Sequence, residues 1–142
     1  MKDPMLLFSS GNPFKSQKRE IVFQEHRSKY QAHNPEGRVV CEIKIDGALI
    51  TAGSRCDYGL WVEDGRLFLI ELKGCDVNHA CDQLLQTFSF FNQNYGDEHF
   101  QYQMRVVSTR VSAPNIQYSK QKLQKRTGLS VIIKNKVLEE NI

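Results

Sequence analysis

The chain has 142 residues and a mass of 16.4 kDa, enough for one hydrophobic core and too few for two ordinary domains, so residues 1–142 read as a single domain. An apolar share of 40%, a charged share of 25% and no Pro/Gly/Ser-rich or low-complexity tract exclude a disordered or fibrous chain. A net charge of +3 with a pI near 8.7 permits a nucleic-acid partner without requiring one. The apolar runs, such as residues 67–70, fall far short of the roughly 20 residues that span a bilayer, and the first residues lack a basic stretch followed by an apolar segment. No membrane contact and a cytoplasmic location are the expectations.

Taken in chain order, residues 1–13 carry Pro4, Gly11, Asn12 and Pro13, the punctuation of a loop or short edge element. Residues 14–30 contain neither glycine nor proline, and Phe14, Ile21, Val22 and Tyr30 fall about one helical face apart, which predicts a first helix. The segment from His33 to Gly37 ends it. Residues 39–45 and 48–51, joined at Asp46-Gly47, predict a hairpin or one kinked strand. Residues 57–63 and 66–73 are rich in aromatic, leucine and β-branched residues and predict a second strand pair. Residues 77–95 set Val77, Ala80, Cys81, Leu84, Phe88 and Phe91 at helical spacing behind Asp76, a good N-cap, and Gly96 ends that helix. A strand at 104–111, a basic helix at 118–126 and a strand or hairpin at 129–138 turning at Asn135 complete the series. Basic residues gather at Lys15, Lys18 and Arg19 and again at Lys120, Lys122, Lys125, Arg126, Lys134 and Lys136. Solvated helix faces explain such runs unless they flank a phosphate-handling site.

The second strand pair carries the chemistry. Side chains alternate faces along a strand, so turn length decides which residues meet. A two-residue Asp64-Gly65 loop would put Glu71 opposite Tyr58. A three-residue loop Glu63-Asp64-Gly65, with Gly65 left-handed, puts Asp57 opposite Glu71. Both faces of this pair are apolar, as in a layered α/β domain covered on both sides. Glu71 and Lys73 then interrupt an otherwise buried strand, a costly placement for charge unless the groups are paired or bind metal. Phosphodiester hydrolysis needs a water made nucleophilic and a counter-charge for the transition state, and a hard divalent cation on oxygen ligands supplies both. Asp57 and Glu71 offer two such oxygens, the main-chain carbonyl of Leu72 a third, and Lys73, two residues beyond Glu71, can orient the water. A second Glu-x-Lys, Glu42-Ile43-Lys44, has no aspartate at hairpin distance before it.

Four cysteines, Cys41, Cys56, Cys75 and Cys81, read as reduced thiols in a chain without export features. Cys75, His79 and Cys81 have zinc-accepting donors, but their spacing matches no common finger.

A helix, a hairpin bearing Asp57, a strand ending in Glu71-Leu72-Lys73-Gly74 and a following helix with glutamines resemble the PD-(D/E)xK nuclease superfamily, which includes restriction endonucleases and Holliday junction resolvases. The resemblance covers residues 14–111. It implies a restriction-endonuclease-like αβββαβ core, with a central mixed sheet flanked by helices, and hydrolysis of nucleic-acid phosphodiesters dependent on Mg2+ or Mn2+. Asp57 matches the first aspartate of the motif, Glu71 its second acid and Lys73 its lysine. Cys56 stands where many members carry proline. Glu20, on the first predicted helix, is the candidate for the additional metal-binding glutamate of many members, and Gln83 for the glutamine of the helix after the motif. Gln86 and His79 are weaker candidates.

The expected activity is therefore metal-dependent cleavage of DNA. A nuclease-fold module that binds nucleic acid, or serves in a larger complex, without turnover is the alternative. RNA is not excluded as a substrate, with Trp61, Tyr58 and Phe90 able to stack bases, though they suit a core better. A chain this small cannot surround a duplex, which points to a homodimer or a partner subunit.

Overall fold

A computed structural model describes residues 2–74, 76–109 and 113–142, without the side chains of Lys73, Gly74 and residues 113–115. The protein is mixed α/β, with three α-helices and nine strands among the described residues. Helix α1 (Pro4–Leu7) starts on Asp3, whose carboxylate accepts the Met5 N–H, and strand β1 (Phe14–Ser16) follows a short 3-10 turn. Strands β2 (Glu20–Glu25) and β3 (Ser28–His33) come next, then β4 (Val40–Lys44), β5 (Tyr58–Val62), β6 (Arg66–Gly74), α2 (Val77–Tyr95), β7 (Gln101–Ser108), α3 (Ala113–Thr127), β8 (Val131–Asn135) and β9 (Val137–Asn141).

Two sheets form. The larger has the order β1-β4-β5-β6-β7-β8 and is mixed, with β4, β5 and β6 antiparallel and β6, β7 and β8 parallel. The smaller is β2-β3-β9, with β9 parallel to β3. Strong right-handed preference in parallel crossovers sends α2 and α3 to one face of the large sheet. There Leu67, Leu69, Met104, Val106 and Val131 meet Ala80, Leu84, Phe91 and Leu123 in one core. On the other face Leu60, Val62, Phe68, Ile70 and Leu72 meet Ile21, Phe23, Tyr30, Ala32 and Leu138 of the small sheet in a second core. The strand pair at the centre is thus buried on both faces, as its composition predicts.

The predicted helix over 14–30 is a correction: that stretch is β1, β2 and β3. Ile21 and Phe23 on β2, and Tyr30 and Ala32 on β3, alternate inward at period two, while Phe14 and Val22 stand exposed. The β2–β3 turn lies at His26-Arg27, with His26 at φ 50°, a left-handed turn position filled without glycine. Residues 48–51 form no strand either; β4 pairs with β5 instead, and the chain between them folds back on itself through the Ile50 N–H to Ile45 carbonyl bond. At the end of the chain no hairpin forms. Lys136, at φ 67°, passes the backbone from β8 in one sheet to β9 in the other.

The β5–β6 turn is the one that matters for the site. Trp61 pairs with Leu67 and Tyr58 with Ile70, so Glu63, Asp64 and Gly65 make the connection, and Gly65 sits at φ +99°. A Cβ built there meets nothing within 4 Å, so a substitution is strained by backbone conformation alone. Gly65→Ala is therefore expected to cost about 1–2 kcal/mol, read as a lower urea midpoint with an unchanged m-value; equal midpoints would contradict the turn.

Candidate active site

Glu71 lies near the end of β6, two residues beyond Leu69 on the helix-facing side, and its side chain is 1% exposed. Asp57 immediately precedes β5 and is 3% exposed. The β5–β6 register ends at Tyr58↔Ile70, and Asp57, one residue before, lies beside Ile70 and Leu72 of β6, the residues that flank Glu71. The ladder is tied at this end by both backbone and side chain: the Asp57 N–H donates to the Ile70 carbonyl at 3.1 Å, and Asp57 Oδ2 accepts the Leu72 N–H at 2.8 Å. The Asp57 carbonyl accepts the N–H groups of Ile45 and Asp46 at 3.1 and 3.3 Å. A carboxylate so anchored is held in place whether or not a ligand is bound.

The buried Cys56 thiol registers the same neighbourhood. Burial pushes it well above the ordinary thiol range, and the negative charges of Glu71 and then Asp57 push it further. Cys56 is therefore an inert core thiol beside two carboxylates, and neither Cys41 nor Cys81 is disulfide-bonded. The Cys75 part of the zinc spacing lies outside the described residues.

Helix α2 buttresses this edge. Asp76 caps it by accepting the Asn78 and His79 N–H groups, and its buried stripe runs through Val77, Ala80, Cys81, Leu84, Thr87 and Phe91. Gln83 Nε2 donates to the Arg55 carbonyl at 3.1 Å, and Thr87 Oγ1 accepts the Cys56 N–H at 2.9 Å while donating to the Gln83 carbonyl at 2.8 Å. Two helix side chains thus hold the backbone that presents Asp57. Gln83 thus bonds the backbone two residues before Asp57. Gln86 and His79 are exposed on the same helix. Thr87 was missed from sequence, although a hydroxyl inside an apolar stripe signals a backbone partner. Thr87→Val leaves the buried Cys56 N–H unpaired at a cost of about 1–3 kcal/mol; a denaturation midpoint equal to the parent's would contradict that role.

Glu20 does not sit on a helix. It starts β2 in the small sheet, where its carboxylate meets His33 Nδ1 at 2.7 Å and accepts from Gln31 Nε2 at 3.2 Å. The opposite end of β2 meets the residue after Asp57 on the small-sheet face: Glu25 Oε1 accepts the Tyr58 hydroxyl at 2.8 Å. Burial and Glu25 push that hydroxyl up to about 12. The His33 imidazolium is favoured by its hydrogen bond with Glu20, which raises its pKa above the ordinary 6.5. A group raised on folding contributes stability fully present below its unfolded value and lost as pH rises through the folded one. His33 is thus expected to titrate above 6.5 by NMR and to return toward it in Glu20→Gln; an unmoved titration would contradict the pair. Trp61 is buried, Tyr58 stacks on Phe23 with centroids 4.7 Å apart, and Phe90 packs edge-on to Phe91, so these rings serve the cores.

Between Glu71↔Val106 and Gly74↔Ser108 the β6–β7 register shifts, with one more residue on β6 than on β7. Bulges of this kind re-aim the chain and recur beside active sites. The orientation expected of the Lys73 side chain lies outside the described residues. Among the described residues no group of three or more His, Cys, Asp and Glu converges as a metal centre, and no helix is long and apolar enough to cross a membrane. What the site offers is a pair of hard oxygen donors with the backbone of Leu72 alongside, a donor chemistry that fits Mg2+ or Mn2+ better than zinc. No family model, curated protein or solved structure matches the chain.

Proposed function

We propose that the protein is a divalent-metal-dependent nuclease of PD-(D/E)xK type acting on DNA, with Asp57 and Glu71 as the metal-binding acids. The observation that carries this reading is the pair of almost fully buried carboxylates at the carboxyl end of β6, where the strand leads into α2. Ligand sites in open α/β sheets favour that edge, and charge is not buried there without a use. The order β4, β5, β6, α2, β7 supports the reading further, because it repeats the βββαβ part of the expected core. The first helix of that core has no counterpart in β1–β3, and the small sheet covers the face it would cover.

In this reading Asp57, Glu71 and the Leu72 main-chain carbonyl hold the cation, and Glu20, committed to His33 on the other sheet, does not. Mg2+ or Mn2+ bound there supplies Lewis acidity at a phosphodiester oxygen and a water of lowered pKa. Lys73 orients that water and offsets charge developing on the phosphate. The Leu72 N–H fixes one oxygen of Asp57, which sets the direction of the other. Gln83 and Thr87 keep the Arg55-Cys56-Asp57 backbone from drifting as substrate binds.

The test is a panel of single-stranded, duplex and branched DNA and of RNA, each incubated with Mg2+ or Mn2+. Cleavage of at least one DNA form, stopped by chelator, is expected. Salt-dependent binding without cleavage of any form would replace the nuclease with a silent binding module.

A further inference from the structure

We infer that α3 carries the path of single-stranded nucleic acid leaving the site, with phosphates on Lys122, Lys125 and Arg126 and a base stacked on Tyr118. The inference rests on the nucleic-acid reading above and adds to it the strand's route and form. Helix α3 has four cations, Lys120, Lys122, Lys125 and Arg126, and no acidic residue in its 15 positions. Tyr118, Gln121, Lys122 and Lys125 follow the i, i+3, i+4, i+7 spacing of one helix stripe, and Arg126 lies one turn beyond Lys122. Together they line a shallow surface hollow. Asp82 of α2 is the acid that faces them, 3.6 Å from Lys122 in an exposed pair that water and salt weaken.

Position ties this stripe to the site. Ser119 hydrogen-bonds Asn78 in the first turn of α2, the helix that follows the strand carrying Glu71, and Lys122 meets Asp82 one turn further on. The two helices therefore run side by side from the site edge, and the stripe covers about 12 Å away from it. Tyr118, at the end nearest the site, is 64% exposed. An aromatic ring that large has no core to fill there. Cations in a row bind backbone phosphates of any nucleic acid, whereas an exposed ring beside them can stack an unpaired base, which a duplex withholds.

Fluorescence anisotropy of a labelled oligodeoxythymidine and of a matched duplex, in chelator to prevent cleavage, tests the assignment on the full chain. The combined Lys122→Ala, Lys125→Ala, Arg126→Ala variant is expected to reduce the magnitude of the log affinity against log salt slope by about 2 for the single strand, from about 0.7 per phosphate contact. Tyr118→Ala is expected to lose about tenfold in single-strand affinity at unchanged slope, with Tyr118→Phe restoring it. Lys15→Ala, which removes a charge from β1, should change neither. If the parent binds and cuts DNA while the α3 variants bind like the parent, the inference fails and the site reading stands. Slope and stacking effects as stated without cleavage would uphold the stripe and sink the site reading. A loss confined to duplex would overturn the single-strand assignment.

Discussion

Asp57→Asn is expected to abolish metal-dependent cleavage, by at least about 10²–10³-fold, while leaving the protein folded. The choice of asparagine follows from the 2.8 Å bond that Asp57 Oδ2 accepts from the Leu72 N–H. The asparagine carbonyl can still take that hydrogen bond but carries no charge for a cation. Asp57→Ala removes both functions and leaves a buried N–H unpaired, so it should lose activity and also about 1–3 kcal/mol of stability. Urea denaturation beside the cleavage assay separates the two effects. Asparagine retaining parental cleavage would remove Asp57 from the chemistry.

Lys73→Ala is expected to lower the cleavage rate by about 10²–10⁴-fold, the range for a positioned proton-transfer or charge-stabilising group. Because the carboxylates remain, the Mg2+ concentration giving half-maximal rate should move much less than the rate. Lys73→Arg keeps the charge but not the compact ammonium or its adjustable pKa, and should restore little. A Lys73→Ala protein that cuts as fast as the parent would confine Lys73 to a structural role.

The parts legible in sequence were those whose signals were local and mutually consistent. The β5–β6 pair announced itself through two apolar runs and a glycine where a left-handed residue was needed, and Gly65 has that conformation. Helix α2 was legible because its 3.6-residue stripe and its Asp76 cap agree. The β2–β3 hairpin was not. Its turn at His26-Arg27 carries no glycine, proline or asparagine, and the exposed Phe14 and Val22 add apolar residues that imitate a helical face. Glu20 was misplaced with it. The small sheet depends on β9 joining β3 across more than a hundred residues, and on Arg105 and Tyr30 both binding Glu140 at 2.8 Å, contacts that no local pattern encodes. Strand parity led from the sequence to the expectation that Asp57 and Glu71 share a face, whereas the Leu72 N–H and Thr87 supports required side chains to be placed in three dimensions.

The most direct test of the carboxylate pair as a catalytic metal site is the cleavage rate of a DNA substrate across a Mg2+ titration, measured for the parent and for Glu71→Gln. The rate of the parent should rise from zero in chelator to a plateau, and that of Glu71→Gln should stay near zero or require far more Mg2+. Cleavage that persists in chelator, or a Glu71→Gln curve that overlays the parent's, would contradict it.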